Sequence, residues 1–215
     1  MDPRQRRFRI SSGTGPRDAQ PVELPHSTFG EFVNTFLGNP VVCHLTSEAY
    51  AALDAPGKKA AKATQYFTSS IFGGDGRRNT ANVTACSLVV LDVDDAPSAR
   101  ALLEAPLDEL LPWNFALWTT LTSTAASPRV RLVVESTPLS AAEYRAAVTS
   151  LAARLGVDSY DPVSTDPSHL WYRPTVFADR QSSTPMVASR TSGLPYNPGE
   201  DDTAQATGDI PVAQA

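Results

Sequence analysis

Cysteine is scarce in this chain. Cys43 and Cys86 are the only two. They lack CxxC spacing, which argues against a disulfide framework and for buried, reduced thiols in a cytoplasmic protein. Long apolar runs are missing as well. None approaches the roughly 18 residues that a membrane span needs, so no membrane association is expected. The amino end, Met1 to Arg9, is basic but has no apolar stretch behind it, which excludes a secretory signal. A surplus of positive charge is also absent. The formal net charge of −5 argues against a broadly basic binder of nucleic acid, yet it permits a local cationic groove because the arginines are clustered. Internal repeats are not seen.

What is present suits one domain with tails. A chain of 215 residues that is 41% hydrophobic can build an ordinary core. Residues 1–24 are rich in Arg, Gly, Ser and Pro without a sustained period, and are expected to be a flexible basic segment. Residues 191–215 run through Gly193-Leu194-Pro195 and an acidic stretch into small polar residues, a composition that cannot offset the entropy of ordering. The folded domain is therefore expected over 25–190.

Within it, strands and helices alternate. Phe29, Phe32, Val33 and Phe36 have helical spacing, with Ser27 as an N-cap and Gly38 at the end. Thr46 to Ala52 suggests a short helix, and Lys58, Lys59 and Lys62 lie on another, where a solvated basic face is the plain interpretation. Phe72 to Arg78 forms a Gly-rich loop before a strand that runs through Val90. Ser98 to Leu111 is helical, with Pro106 bending or splitting it. Phe115–Thr120 and Val130–Val134 suggest neighbouring strands. Ser140 and Glu143 form a capping box that opens a helix ending at Gly156, and Leu170–Arg173 forms a last short strand. The class is α+β, a mostly antiparallel sheet covered on one face by helices.

The most informative segment is Ser87-Leu88-Val89-Val90-Leu91-Asp92-Val93-Asp94-Asp95. Side chains alternate along a strand, so Asp92 and Asp94 share one face while Val93 points to the core. Two carboxylates so close repel unless a cation lies between them. Hard ions such as Mg²⁺ or Mn²⁺ suit that oxygen pair together with substrate phosphates. The plain alternative is a buried strand ending in the acidic turn Asp95-Ala96-Pro97.

Three blocks carry a resemblance. Leu91-Asp92-Val93-Asp94 is followed by Thr119–Ser123 with Ser127-Pro128-Arg129-Val130-Arg131-Leu132-Val133-Val134, and then by Asp161–Pro174. In this order they resemble the catalytic domain of the archaeo-eukaryotic primase superfamily, in its phage and plasmid primase-polymerase branch. That resemblance implies an RRM-like catalytic core over roughly residues 25–190. It also implies a metal-dependent nucleotidyltransferase that makes or extends primers on single-stranded DNA from nucleoside triphosphates, in the cytoplasm of a bacterial host. Asp92, Asp94 and Asp161 would be the catalytic acids and the ligands of Mg²⁺ or Mn²⁺. Asp158 and Asp166 compete for the third place; Asp158 and Asp161 equally suit the start of a turn before Pro162, and Asp166-Pro167 an ordinary turn opening. Arg129, Arg131, Ser123, His169, Arg77 and Arg78 would bind the nucleotide.

Two positions depart from the family pattern. The second block usually carries His, where this chain has Arg129 and Arg131; a guanidinium fork can hold a phosphate in its place. His169 stands where Arg is more usual. Arg77 and Arg78 equally suit a solvated loop, and His169 a structural hydrogen bond. Of Trp171 and Tyr172, one could stack a base while the other is core. The chain lacks GxxxxGK[ST], so unwinding would fall to a separate or fused helicase. Two alternatives stand beside this one: a degenerate module that binds nucleotide or nucleic acid without catalysis, and a phosphatase of the haloacid dehalogenase type.

Overall fold

The computed structural model describes residues 8–24 and 28–198. In chain order the elements are β1 (Ser11–Gly13), β2 (Val22–Glu23), α1 (Phe29–Glu31) running into a π-helical turn (Phe32–Leu37), β3 (Val41–Cys43), α2 (Ser47–Ala51), α3 (Ala55–Ala61), β4 (Tyr66–Thr68), β5 (Ser70–Phe72) and β6 (Val83–Val93). Then come α4 (Ala96–Glu104), α5 (Leu107–Leu110), β7 (Phe115–Thr119), β8 (Val130–Leu139), α6 (Ala141–Arg154), β9 (Leu170–Tyr172), β10 (Thr175–Phe177) and β11 (Met186–Arg190).

The α+β expectation holds, with more than one sheet. A five-stranded antiparallel sheet has the order β11-β7-β8-β6-β5. A four-stranded antiparallel sheet, β2-β1-β4-β9, and a parallel pair, β10-β3, lie beside it in the topology.

Strand alternation builds the two cores. Val89, Leu91 and Val93 of β6, with Leu132 and Val134 of β8 and Leu117 of β7, pack with Leu102 of α4 and Tyr144, Val148 and Leu151 of α6. Leu88, Val90, Ala116, Trp118 and Val133 face the other way, as the period of two demands. There they meet Phe29, Phe32 and Phe36, together with Phe8, Ile10, Phe67 and Trp171. Rings in this cluster sit at packing distance, 5.3 Å for Phe32–Phe67 and 5.8 Å for Phe8–Phe29. Helical elements therefore cover both faces of the large sheet, where the sequence suggested one.

Local signals explain several boundaries. Asp95 caps α4, accepting the Ser98 N–H at 2.9 Å, so this helix starts before Ser98. Pro106 splits the 98–111 stretch into α4 and α5, because proline has no N–H to continue the ladder. The capping box of α6 is formed from both sides: the Ser140 N–H donates to Glu143 Oε2 at 2.7 Å, and the Glu143 N–H to Ser140 Oγ at 3.3 Å. Gly156 follows that helix at φ +63°, a left-handed position that favours glycine. Thr28, whose Oγ1 accepts the Glu31 N–H at 3.1 Å, caps α1; Ser27 lies outside the described residues.

Both ends of the domain extend past the expected limits. Residues 8–24 contribute β1 and β2, and Phe8 and Ile10 are buried, so this part of the 1–24 segment belongs to the core. At the other end Leu194 bridges to Trp113 and Tyr196 to Ser136, and the Tyr196 ring, 4.3 Å from that of Trp113, is buried. Residues 199–215 lie outside the described residues. Among the described residues no helix is long and apolar enough to cross a membrane.

Candidate functional site

The face of β6 that carries Leu88 and Val90 into the phenylalanine cluster ends at Asp92, and Asp94 follows on the same side of the chain. The sheet register puts three side chains in a row there. Asp92 is opposite Arg131, and Arg131 is opposite Trp118. Arg131 Nε donates to Asp92 Oδ1 at 3.2 Å and Nη2 donates to Oδ2 at 2.7 Å. Both side chains are 12% exposed. The third guanidinium nitrogen, Nη1, donates to the Tyr172 carbonyl at 3.2 Å. The guanidinium also lies 5.0 Å from the Trp171 ring centre and 5.9 Å from that of Trp118, within the range of cation–π attraction.

A second pair lies beside the first. Arg129 Nη1 donates to Asp94 Oδ2 at 3.0 Å, with 37% and 48% of the two side chains exposed. The cations that relieve repulsion between the acids are thus, in the protein itself, Arg131 of the next strand and Arg129 just before that strand begins. Burial, and then the charge of Asp92, raise the Asp94 pKa above the ordinary aspartate value against the opposing pull of Arg129 and Arg131.

These residues line a cleft with Lys62, Thr120, Leu121, Thr122, Tyr172, Arg173 and Thr175. Four of its lining residues are cationic and two are acidic, so a chain of net negative charge presents a locally positive cleft. Aromatic surface comes from Trp118 and Tyr172. The loop between β7 and β8 is tied at its base: the Thr120 N–H donates to the Arg129 carbonyl at 3.0 Å and the Arg129 N–H to Ser123 Oγ at 3.0 Å. Ser123 thereby holds Arg129 in place and faces an adjoining depression lined by Thr119, Thr120, Thr175 and Arg180.

The third block comes close through its backbone. The Asp161 N–H donates to the Asp92 carbonyl at 2.8 Å, and its charge is one of the influences on Asp94. Its carboxylate, however, accepts the Val163 N–H at 3.0 Å and caps the turn Pro162–Thr165. Asp166 accepts from the Ser168 N–H and Oγ at 2.8 and 2.7 Å, a local turn, and Asp158 is exposed. Among the described residues, no group of three or more His, Cys, Asp or Glu side chains is arranged to hold a metal ion.

The remaining candidates lie outside the cleft lining. Arg77 pairs at the surface with Asp75 at 3.5 Å. Arg78 Nη1 donates to the Ser168 carbonyl at 3.3 Å, and its guanidinium lies over the Tyr66 ring. His169 sets its ring edge-on to Trp171 at 4.7 Å, and burial lowers its pKa. Of the two aromatics, Trp171 is core and Tyr172 lines the cleft. Two lining residues, Lys62 and Arg173, are not among the site candidates that the sequence suggests, and Lys62 lines the cleft rather than only a solvated helix face. Lys62 gives no local sign beyond helix charge, and Arg173 is marked only by its place at a strand end before Pro174.

Two solved structures are similar in a limited way. The primase-polymerase AEP domain of cyanophage S-2L is 16% identical over 91% of this chain and 86% of its own, with a TM-score of 0.44. The polymerase domain of Mycobacterium tuberculosis Ligase D, solved with DNA, is 15% identical over 94% and 83%, with a TM-score of 0.37. No curated protein matches the chain. The profile of the VapE N-terminal domain matches residues 23–188, a span that includes the acid pair, both arginines and the Asp161 turn, and the chain belongs to the VapE N-terminal domain family.

Proposed function

We propose that this domain is a metal-dependent nucleotidyltransferase of the primase-polymerase type, acting in the replication of a phage or plasmid in a bacterial cytoplasm. Its substrates would be nucleoside triphosphates and a single-stranded DNA template, with unwinding left to a separate or fused helicase. One observation carries the proposal. Asp92 and Asp94 share a face in a cleft whose other lining includes four cations and two aromatics, the combination that a polyphosphate and a base together require.

The donor set fits a hard cation held by two carboxylates, with phosphate oxygens and water completing its shell. Asp94 has one oxygen bonded to Arg129 and is half exposed. Asp92 has each oxygen in one hydrogen bond, and a carboxylate oxygen has further lone pairs to offer. Asp161 accepts the Val163 N–H on Oδ1, and its carboxylate keeps further lone pairs for a third ligand bond. A bound Mg²⁺ or Mn²⁺ would supply charge neutralisation for the triphosphate and for the departing pyrophosphate. The protein's own groups position the acids: Arg131 and Arg129 fix the two carboxylates. Tyr172 offers a face to the base.

A second reading, binding without transfer, is favoured by the arginines that already neutralise both acids and by the capping role of the Asp161 carboxylate. One assay separates the two. Purified protein is given Mn²⁺ or Mg²⁺, single-stranded template and labelled nucleotides, with an Asp92→Ala/Asp94→Ala control. Products that appear only with metal and intact acids support transfer. Metal-dependent nucleotide binding without products supports the second reading, and phosphate release from a simple phosphomonoester would favour a phosphatase instead.

A further inference from the structure

Among the described residues, Lys62 and Arg173 are the cleft cations that no carboxylate holds. The other two are committed. Arg131 places two nitrogens on Asp92 and the third on the Tyr172 carbonyl, and Arg129 is paired with Asp94. Each of the two therefore already has a carboxylate as its counter-ion.

Arg173 differs in being oriented by neutral groups alone. Nε donates to the Phe36 carbonyl at 3.1 Å, Nη1 to Gln65 Oε1 at 2.8 Å and Nη2 to the Asn39 carbonyl at 2.6 Å. Its guanidinium lies 4.4 Å from the centre of the Phe36 ring. All three acceptors are neutral, and an N–H remains on each terminal nitrogen, because a guanidinium carries five donors. Lys62 stands at the C-terminal cap of α3, with the Tyr50 ring 6.0 Å away as its nearest aromatic partner. Gln65, which Arg173 grips, follows Lys62 by three residues, so the two cations belong to one wall. A partly buried charge that is oriented by neutral groups and lacks a counter-ion is preorganised for an incoming anion.

We propose that Lys62 and Arg173 form the receptor for the distal phosphates of a nucleoside triphosphate, and that Arg129 and Arg131 are positioning residues for Asp94 and Asp92. The assignment rests on the nucleotidyl-transfer reading and goes beyond it by dividing four similar cations into two roles. It makes affinity depend on the number of phosphates.

The test is nucleotide binding to the full chain in Mn²⁺, with the mono-, di- and triphosphate of one nucleoside measured by calorimetry. The wild type is expected to bind more tightly with each phosphate. Lys62→Gln, whose wild-type side chain makes no hydrogen bond among the described residues, should weaken triphosphate binding by about tenfold and leave monophosphate binding within about twofold. Arg173→Lys should do the same, and thermal unfolding verifies its fold. The proposal is overturned if both variants keep the wild-type dependence on phosphate number, or if Arg129→Gln abolishes that dependence while Lys62→Gln does not. Should the wild type bind none of the three nucleotides, the transfer reading falls as well, a result distinct from the first two.

Discussion

Asp92 and Arg131 face each other in direct register across β6 and β8, and both carboxylate oxygens take part in the fork. The pair is buried under Trp118 and Trp171, so its energetics are those of a desolvated unit, whose partners cannot be removed singly without loss.

Arg131→Ala should therefore destabilise the fold by about 3–5 kcal/mol, because it strands a buried carboxylate. The Arg131→Ala/Asp92→Ala double variant should lose less than the sum of the two singles. Denaturant unfolding of the four proteins gives the coupling; strictly additive losses would mean that the fork is not a unit.

Asp94→Asn should behave in the opposite way. Its bridge to Arg129 is half exposed, so stability should change by less than about 1 kcal/mol. Metal-dependent nucleotide incorporation should nonetheless disappear. A variant with normal unfolding and normal incorporation would remove Asp94 from the chemistry.

Residues 8–13 should prove structural. Ile10 is fully buried among Phe8, Phe29 and Phe32, and Ile10→Ala is expected to cost about 2–5 kcal/mol. Arg9→Ala, which breaks only an exposed bridge to Glu23, should cost less than about 1 kcal/mol. Equal effects of the two would contradict the burial of this segment.

Glu135 supplies a pH test. It is buried with Asn114 Nδ2 donating to Oε2 at 2.6 Å, and burial raises its pKa despite that bond. A raised carboxyl is accommodated best when protonated, so its contribution is fully present below the unfolded pKa of about 4.3 and is lost as pH rises through the folded value. Glu135→Gln does not titrate. The melting temperature of the variant minus that of the wild type should grow as pH rises from about 4 toward neutrality. A difference that is flat with pH would place the Glu135 pKa at its ordinary value.

The acid pair was legible because a two-residue period needs no partner: an apolar run ending in Asp92 and Asp94 fixes one face by alternation alone. Arg131 was visible as a strand residue, yet its bond to Asp92 was hidden, since cross-strand register depends on a segment 39 residues away. The same non-local dependence concealed Lys62 and Arg173, which meet only when α3 and the β9–β10 junction come together. Helix ends were easier to place. Ser140, Glu143, Pro106 and Gly156 act on their immediate neighbours, so spacing suffices. The 8–24 segment escaped because β1 and β2 are short and surrounded by Gly, Pro and charge, although Phe8 and Ile10 alternate with exposed Arg9. The turn at Asp161 was legible as well, because an Asp before Pro162 acts on its immediate neighbours, and its carboxylate does cap the Val163 N–H.

The central claim is that Asp92 and Asp94 hold a divalent cation with the triphosphate. Mn²⁺ titration followed by electron paramagnetic resonance, with and without nucleoside triphosphate, tests it most directly. The triphosphate should tighten Mn²⁺ binding in the wild type, and Asp94→Asn, still folded, should lose the tightening. Equal Mn²⁺ binding by the two proteins in the presence of nucleotide would contradict it.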